Sequence, residues 1–528
     1  MPTSPEAIER FLKWIPDPII EVRGQAPAYL LEQIKTKTGI EFKPKTPWGN
    51  SDRDQRQLEA ITLALLKERL LLYYAARTGK TKIGLDWLEH LRKANLINKA
   101  LIIPHSPVGV DEWERQVPIH SNLACSFIRS GPHSIEQFLE ALESTSTGIV
   151  LTWSTLQQLF SVKQLSKRGT AKYRMDRPTL RLAAPHFQAL IVDEIHRIND
   201  PSSLRFGIIS ELAPESTDSL RWRLGLTGTP FSRNPFGVWS QARIVDGGES
   251  LSRSFFFFRE AFGKEQYQHF ARFKQEYVFD KKKMDLLRSK LAPRMLTCRL
   301  EDIQDVNVIA SEVPLQMTAE QTKAYRGLIK NIVDKRIEGI VEMENTFIRL
   351  RQISSGLQVF TDIDGNRREL EISSCKHAWL EDFLSDLDPS LKVVIFHEFI
   401  ASGRRICKLL EKLKIKHEWL HGGSKNKMGS ITEFQTGKAA VLVANHTTGG
   451  TGVDLSAAHY VCVFESPVSA IAREQMQARP MARGAAPLVL DDLICSPVEQ
   501  KIRLFHEEGR SLAELFQRPK SFIKELQV

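Results

Sequence analysis

The feature that most constrains this chain is an alternation, run through twice, of short apolar stretches and helix-spaced segments. Residues 70–74, 100–103, 149–152, 189–192 and 224–227 form the first series. Residues 393–396, 441–444, 460–464 and 488–490 form the second. Each run has the length and the near-continuous apolar character of a strand buried on both faces, which is the mark of a parallel sheet covered by helices. Each also ends in small or polar residues, where an open α/β sheet collects its ligands. The expectation is an α/β chain of two lobes with parallel sheets, and helical protrusions between them. Residues 1–50 read as an appended segment, 51–245 as the first lobe and 376–510 as the second. Residues 246–375 read as helical protrusions and linker, and 511–528 as a helical tail. Within the middle stretch, Thr318 and Gln321 have the spacing of a capping box.

A chain of 528 residues exceeds what one core can organise. A hydrophobic content of 42% and a charged content of 26% are those of a globular protein. No apolar run is long enough to span a bilayer, no membrane partner is expected, and the first residues lack the pattern of a secretory signal. The six cysteines are scattered, without a CxxC pair, which argues against a disulfide framework or a zinc site. A cytoplasmic location, or a nuclear one in a eukaryote, is therefore expected. The net charge of +10 suits a polyanionic partner.

Three motifs carry chemistry, each at the end of an apolar run. Arg77-Thr78-Gly79-Lys80-Thr81 joins a strand to an amphipathic helix, as a phosphate-binding loop does. Lys80 would reach the β- and γ-phosphates of ATP, and the Thr81 hydroxyl would bind Mg2+. Tyr74 occupies the place of the loop's first glycine. The second motif, Asp193-Glu194-Ile195-His196, follows another buried run. Two acids there are costly unless they serve a cation and a water, so Asp193 is expected to hold Mg2+ and Glu194 to activate water. The third is Leu226-Thr227-Gly228-Thr229-Pro230.

Together these residues resemble the Swi/Snf-type ATPases of helicase superfamily 2, in order from about residue 51 to 515. Gln55 is similar to the family's adenine-reading glutamine. Residues 101–104 with Trp113-Glu114, and Leu151-Thr152-Trp153, resemble its DNA-side motifs. Asp193-Glu194-Ile195-His196-Arg197-Ile198-Asn199-Asp200 is close to DEAHRIKN, and Leu350-Arg351-Gln352-Ile353 to LRQI. In the second lobe, Leu420-His421-Gly422-Gly423 and residues 449–455, with Gly452 and Asp454, keep the family order. Gln475, Arg479 and Arg483 fall in the arginine-finger motif, with the two arginines one residue further apart than usual. The absence of appended modules points to a minimal bacterial or phage-borne member.

The resemblance implies that ATP sits on the first lobe and is completed by Arg479 or Arg483 of the second. It also implies that nucleic acid is gripped through its phosphates, with Pro104, Thr152, Thr447 and Thr448 as candidates by motif position. A basic stretch including Lys172, Arg174 and Arg177, with Tyr173 interleaved, is a further candidate grip. Double-stranded DNA is the expected partner, with single-stranded or forked DNA as alternatives. The rival functions are a strand-separating DNA or RNA helicase and, from another class, a nucleotide-gated binding subunit that does not hydrolyse ATP.

Overall fold

The computed structural model describes residues 4–14, 28–42, 51–165, 171–213, 220–228, 235–267, 275–300, 302–303, 308–334, 340–361, 367–424, 426–449, 454–481, 488–508 and 526. The chain divides into two compact units, residues 1–304 and 305–528. Among the described residues no helix is long and apolar enough to cross a membrane.

The strands of unit 1 are β1 (Arg69–Tyr74), β2 (Ala100–Ile103), β3 (Cys125–Ile128), β4 (Gly148–Leu151), β5 (Ser161–Leu165), β6 (Ala171–Met175), β7 (Ala189–Asp193), β8 (Trp222–Thr227), β9 (Gly263–Tyr267), β10 (Gln275–Phe279) and β11 (Met295–Cys298). Seven of them form one parallel sheet in the order β11-β1-β8-β7-β2-β4-β3. β5–β6 and β9–β10 are separate antiparallel hairpins. The central strands are buried along almost their whole length, as their apolar runs require. Because the strands are parallel, the carboxyl ends of β1, β7 and β8 converge on one edge, and the three motifs meet there.

Unit 2 contributes β12 (Val308–Pro314), β13 (Leu357–Thr361), β14 (Arg367–Glu371), β15 (Val393–His397), β16 (His417–Leu420), β17 (Val441–Asn445), β18 (Tyr460–Val463) and β19 (Leu488–Ile494). Six form a second parallel sheet, β12-β19-β18-β15-β17-β16, and β13–β14 is a hairpin. Its core joins Val393, Ile395, Val441, Val443, Cys462 and Phe464 to flanking helices. The fold is therefore two RecA-like lobes.

The helical reading of 246–375 needs correction. The stretch holds helices, including Phe255–Phe262, Met284–Leu291 and Ala319–Asp334, but also an edge strand for each sheet, β11 and β12. Edge strands have one neighbour and one wetter face. β12 is exposed along most of its length, so it lacks the apolar run that betrays a central strand. The capping box stands: the Thr318 hydroxyl accepts from the Gln321 N–H at 3.1 Å, and the Thr318 N–H donates to Gln321 Oε1 at 3.2 Å. In the N-terminal segment, helix Pro5–Lys13 packs Phe11 edge-on to Phe257 at 5.3 Å, and buried Lys290 donates to the carbonyls of Phe11 and Trp14. The C-terminal tail, apart from Leu526, lies outside the described residues.

Candidate nucleotide site and its surroundings

β1 runs buried into a turn at residues 75–79, and helix Lys80–Lys93 begins at its exit. Arg77 and Gly79 both have positive φ, 69° and 90°. Glycine adopts that region freely, whereas arginine does so only under outside restraint. The restraint is visible. Thr78 Oγ1 donates to the Ala75 carbonyl at 2.9 Å, and Gln57 Nε2 donates to the Thr78 carbonyl at 2.9 Å. Lys82 Nζ holds Gln57 Oε1 at 2.9 Å, and the Tyr74 hydroxyl donates to the Arg56 carbonyl at 3.0 Å. A Cβ on Gly79 would lie 2.1 Å from Gln57 Nε2, so no other residue fits that position without displacing Gln57. Helix Asp52–Lys67 thus clamps a loop that lacks its first glycine. Gln57 went unnoticed in the sequence, which drew attention to Gln55. Gln55 lies half-buried two residues earlier on that helix.

Lys80 Nζ rests on the carbonyls of Tyr74 at 2.8 Å and Ala75 at 3.1 Å. Thr81, half-buried, follows in the first turn. β7 ends at Asp193, whose Oδ1 accepts the Glu194 N–H at 3.0 Å and whose Oδ2 accepts Trp113 Nε1–H at 3.2 Å. Glu194 has a positive φ of 50°, an unusual conformation for a residue with a Cβ. Its carboxylate accepts the Thr227 hydroxyl at 3.1 Å and lies 3.2 Å from His196 Nδ1, which is 2.7 Å from Thr227 Oγ1. Burial and then the neighbouring Glu194 charge push the Asp193 carboxyl up to about 6. Burial pushes Glu194 the same way, but the His196 hydrogen bond and the Lys80 charge outweigh it and hold Glu194 below the usual carboxylate range. Glu194 is therefore the better fixed anion and Asp193 the one that gains most from a cation. Oxygen donors from Thr81 and Asp193 fit Mg2+, which is commonly bound by one or two carboxylates together with substrate phosphates. Gly228 closes the corner: a Cβ there would sit 3.3 Å from the Ala76 nitrogen. Thr229 and Pro230 lie outside the described residues.

The expected DNA-side residues separate into two groups. Pro104 and Thr152 are buried, so their side chains do not form the exposed surface of those motifs. Thr152 Oγ1 caps helix Trp153–Leu159 by accepting the Thr155 N–H at 3.1 Å, and Ser154 is the exposed side chain of that turn. Thr447 is exposed and Thr448 half-buried on helix His446–Gly449, where Thr447 Oγ1 donates to Asn445 Oδ1 at 2.5 Å. The basic stretch forms hairpin β5–β6. Tyr173 is 52% exposed, and Arg174 donates to Gln164 at 3.3 Å across the ribbon. Lys172 lies in β6, but its side chain is outside the described residues. Arg177 follows the hairpin and lies 3.8 Å from Glu211, which also holds Arg181 at 3.4 Å.

In unit 2, Gly452 and Arg483 lie outside the described residues. Asp454 is exposed, and its carboxylate accepts the Ser456 N–H at 3.0 Å. Arg479 follows helix Ala470–Ala478, half-buried, and its carbonyl accepts the Leu455 N–H at 3.2 Å. Of the polar residues at this sheet's carboxyl edge, the sequence reading named Arg351, in its LRQI stretch, but not its partners. Glu465 accepts the N–H groups of Glu398 at 2.6 Å and Phe399 at 2.9 Å and the Ser402 hydroxyl at 2.5 Å. Arg351 pairs with Glu398, whose carboxyl is pulled down to about 2. Burial there is outweighed by the charge of Arg351 and the hydrogen bond of His446.

Two family models match, in order. The one described as "Type III restriction enzyme, res subunit" matches residues 51–232, and the "Helicase conserved C-terminal domain" matches residues 375–484. Between them the two matches cover the helicase-type halves of the chain, one in each unit. Protein p41 of Acyrthosiphon pisum secondary endosymbiont phage 1 is 26% identical over 289 residues, 53% of this chain and 59% of that protein. A candidate helicase of Acanthamoeba polyphaga mimivirus, R592, is 27% identical over 82 residues, 16% of this chain and 10% of that protein. The chain thus spans less than two thirds of the length of these curated relatives. Among solved structures, the Sulfolobus solfataricus SWI2/SNF2 ATPase core in complex with dsDNA is 18% identical, with a TM-score of 0.37, over 90% of this chain and 96% of that one. The same organism's SWI2/SNF2 ATPase core domain gives 18% and 0.37, over 97% of this chain and 99% of that one. The assignment rests on the two family models.

Proposed function

We propose that this chain is a DNA-stimulated ATPase that couples hydrolysis to translocation along double-stranded DNA, remodelling the DNA or displacing what is bound to it. The observation that carries the ATPase reading is the gathering of Lys80, Asp193, Glu194 and Thr227 at the carboxyl edge of one parallel sheet. In the proposed cycle Lys80 leaves the carbonyls of Tyr74 and Ala75 for the β- and γ-phosphates. Thr81 and Asp193 hold Mg2+, which neutralises phosphate charge when bound. Glu194 takes a proton from water as the water oxygen bonds to the γ-phosphorus and ADP departs. His196 and Thr227 keep that carboxylate aimed. Arg479 or Arg483 supplies positive charge to the transferring phosphoryl group, and Gln55 reads the adenine. Gly452 and Asp454 belong to the same nucleotide-responsive part of unit 2.

The resemblance to Swi/Snf-type ATPases supports duplex DNA as the track, and the net charge of +10 supports phosphate contacts. The exposed Tyr173 on a basic ribbon favours strand separation as the second reading, since an aromatic can stack on an unpaired base. One assay separates the readings: ATP turnover with duplex, single strand, fork or RNA added, alongside displacement of a third strand from a triplex. Duplex is expected to stimulate most and the third strand to be displaced. Stimulation by RNA alone would overturn the proposal, and nucleotide binding without turnover would place the chain among gated binding subunits.

A further inference from the structure

We propose that Trp113 is a positioning residue that fixes the Mg2+-binding carboxylate of Asp193. The inference rests on reading the site as an ATPase.

Trp113 lies on helix Pro107–His120, away from all three nucleotide motifs in sequence, and is 1% exposed. Its two ends touch the two elements that build the site. The indole N–H donates to Asp193 Oδ2 at 3.2 Å. The far edge of the ring lies over helix Lys80–Lys93, where a Cβ on Gly84 would come 3.3 Å from Trp113 Cη2 and 3.0 Å from Ile191 Cδ1. A Cβ there would press on both, so the glycine lets the indole and β7 sit this close to the helix without displacement. Packing thereby sets the ring's position, and the ring sets the hydrogen bond.

The bond matters because of what else holds Asp193. Oδ1 is tied to the Glu194 N–H at 3.0 Å. With both oxygens engaged, the carboxylate plane is defined. With the indole bond removed, the group can turn about its Cβ–Cγ bond, and the metal must order it on binding. Partners that orient a metal-binding carboxylate typically contribute 10- to 100-fold in metal affinity. Trp113 touches neither water nor phosphate in the proposed cycle, so it positions and does not react.

The test replaces the N–H and keeps the shape. Trp113→Phe in the full chain removes the donor, and 3-benzothienylalanine at position 113, which puts sulfur where the N–H was, covers the case in which phenylalanine packs poorly. Mn2+ binding in the presence of a non-hydrolysable ATP analogue is followed by electron paramagnetic resonance, and analogue binding in EDTA is measured separately. Both variants are expected to bind Mn2+ about 10- to 100-fold more weakly. Metal-free nucleotide affinity should stay at the parent value, and kcat should recover at saturating Mg2+. Parent Mn2+ affinity in the benzothienyl protein overturns the role of Trp113 alone. A parent chain that shows no metal-dependent nucleotide binding overturns the ATPase reading and this one with it.

Discussion

The carboxyl edges of the two sheets use charge differently. In unit 1 the Lys80 ammonium lies on main-chain carbonyls, while two acids share one buried corner and one of them is pushed towards neutrality. In unit 2 buried cations sit directly on carboxylates: Arg351 on Glu398, Lys376 on Glu499 at 2.5 Å and Arg473 on Asp492 at 2.9 Å. One edge keeps charge in a form that a phosphate and a cation can take up. The other has spent its charge on joining helices to strands. The same architecture therefore carries the proposed nucleotide site in one unit and a packed polar seam in the other, and the difference can be broken by mutation.

The largest effect is expected in unit 1. Lys80→Ala removes the cation for the phosphates and should lower ATP turnover roughly 10²–10³-fold or more. Glu194→Gln should abolish turnover yet retain bound ATP, because the amide cannot take the proton. Phosphate release and nucleotide retention on a filter measure the two. Parent turnover in Glu194→Gln would mean that the edge of unit 1 is no more catalytic than that of unit 2.

The converse experiment targets the seam. Lys376 is fully buried, donates also to the Phe464 carbonyl at 2.6 Å, and is pushed above the ordinary lysine range, burial being outweighed by Glu499 and Cys495. Lys376→Met leaves Glu499 Oε1 without its cation, while Oε2 keeps the Cys495 N–H and the Ser496 hydroxyl, and should destabilise unit 2 by about 3–5 kcal/mol. Adding Glu499→Gln, which removes the buried charge and keeps an acceptor, should restore part of the loss. Hydrogen exchange in β18 and β19 measures it, and nucleotide binding by unit 1 should not change. A single variant as stable as the parent removes the contrast.

The contrast also explains what the sequence disclosed. Parallel strands announce themselves because both faces are buried, so β1, β7, β15 and β17 were legible as apolar runs. Their ends were legible because Gly79-Lys80-Thr81 and Asp193-Glu194 are local in sequence. Gln57 and Lys376 were not: each acts through contacts with residues distant in the chain, and nothing in its neighbourhood marks it. Trp113 was legible only as part of a DNA-side motif, and its hydrogen bond to Asp193 was not. The burial of Pro104 and Thr152 was hidden for a related reason. Motif position gives the right turn, but whether a side chain points outward depends on capping and packing that only the fold supplies. Hairpin β5–β6 was seen only as charge, because its strands are short, polar and solvated.

A pH series should sharpen the comparison at smaller amplitude. His397 is fully buried in unit 2. Its Nδ1–H donates to the Phe399 carbonyl at 3.1 Å, and its Nε2 accepts the Trp419 indole N–H at 3.2 Å. Both nitrogens are committed to the neutral ring. Burial, with the charges of His446 and His421, pulls it down to about 4, against the hydrogen bond to Phe399. An unfolded histidine titrates near 6.5, so between about 6.5 and 4 the unfolded chain binds more protons. This stability is fully present above pH 6.5 and falls as pH drops, by about 3 kcal/mol at pH 4. Hydrogen exchange in β15 at pH 7.5, 6 and 5 measures it, and His397→Gln should flatten the dependence. A flat profile in the parent would place the proton-sensitive packing elsewhere.

The smallest effect concerns the surface. Each phosphate neutralised by a cation contributes roughly 0.9 to the slope of log affinity against log salt on duplex DNA. Lys172 and Arg174 lie on β6 of an exposed ribbon, whereas Arg177 lies against Glu211 after it. Neutralising Lys172 and Arg174 together should lower the slope by up to about two and leave DNA-free ATP turnover at the parent rate. Arg177→Ala should change the slope little, because its charge is already offset by Glu211. Tyr173→Ala separates the two nucleic-acid readings: it should spare the salt slope, and it should cut unwinding of a fork only if the ring stacks on an unpaired base. Fluorescence anisotropy across a salt series, followed by a strand-separation assay, measures all three. An unchanged slope after the double neutralisation would show that the ribbon is solvated and that unit 1 grips the duplex elsewhere. Loss of unwinding with an altered slope in Tyr173→Ala would make the ribbon a single gripping unit, in which aromatic and cations cannot be assigned separate tasks.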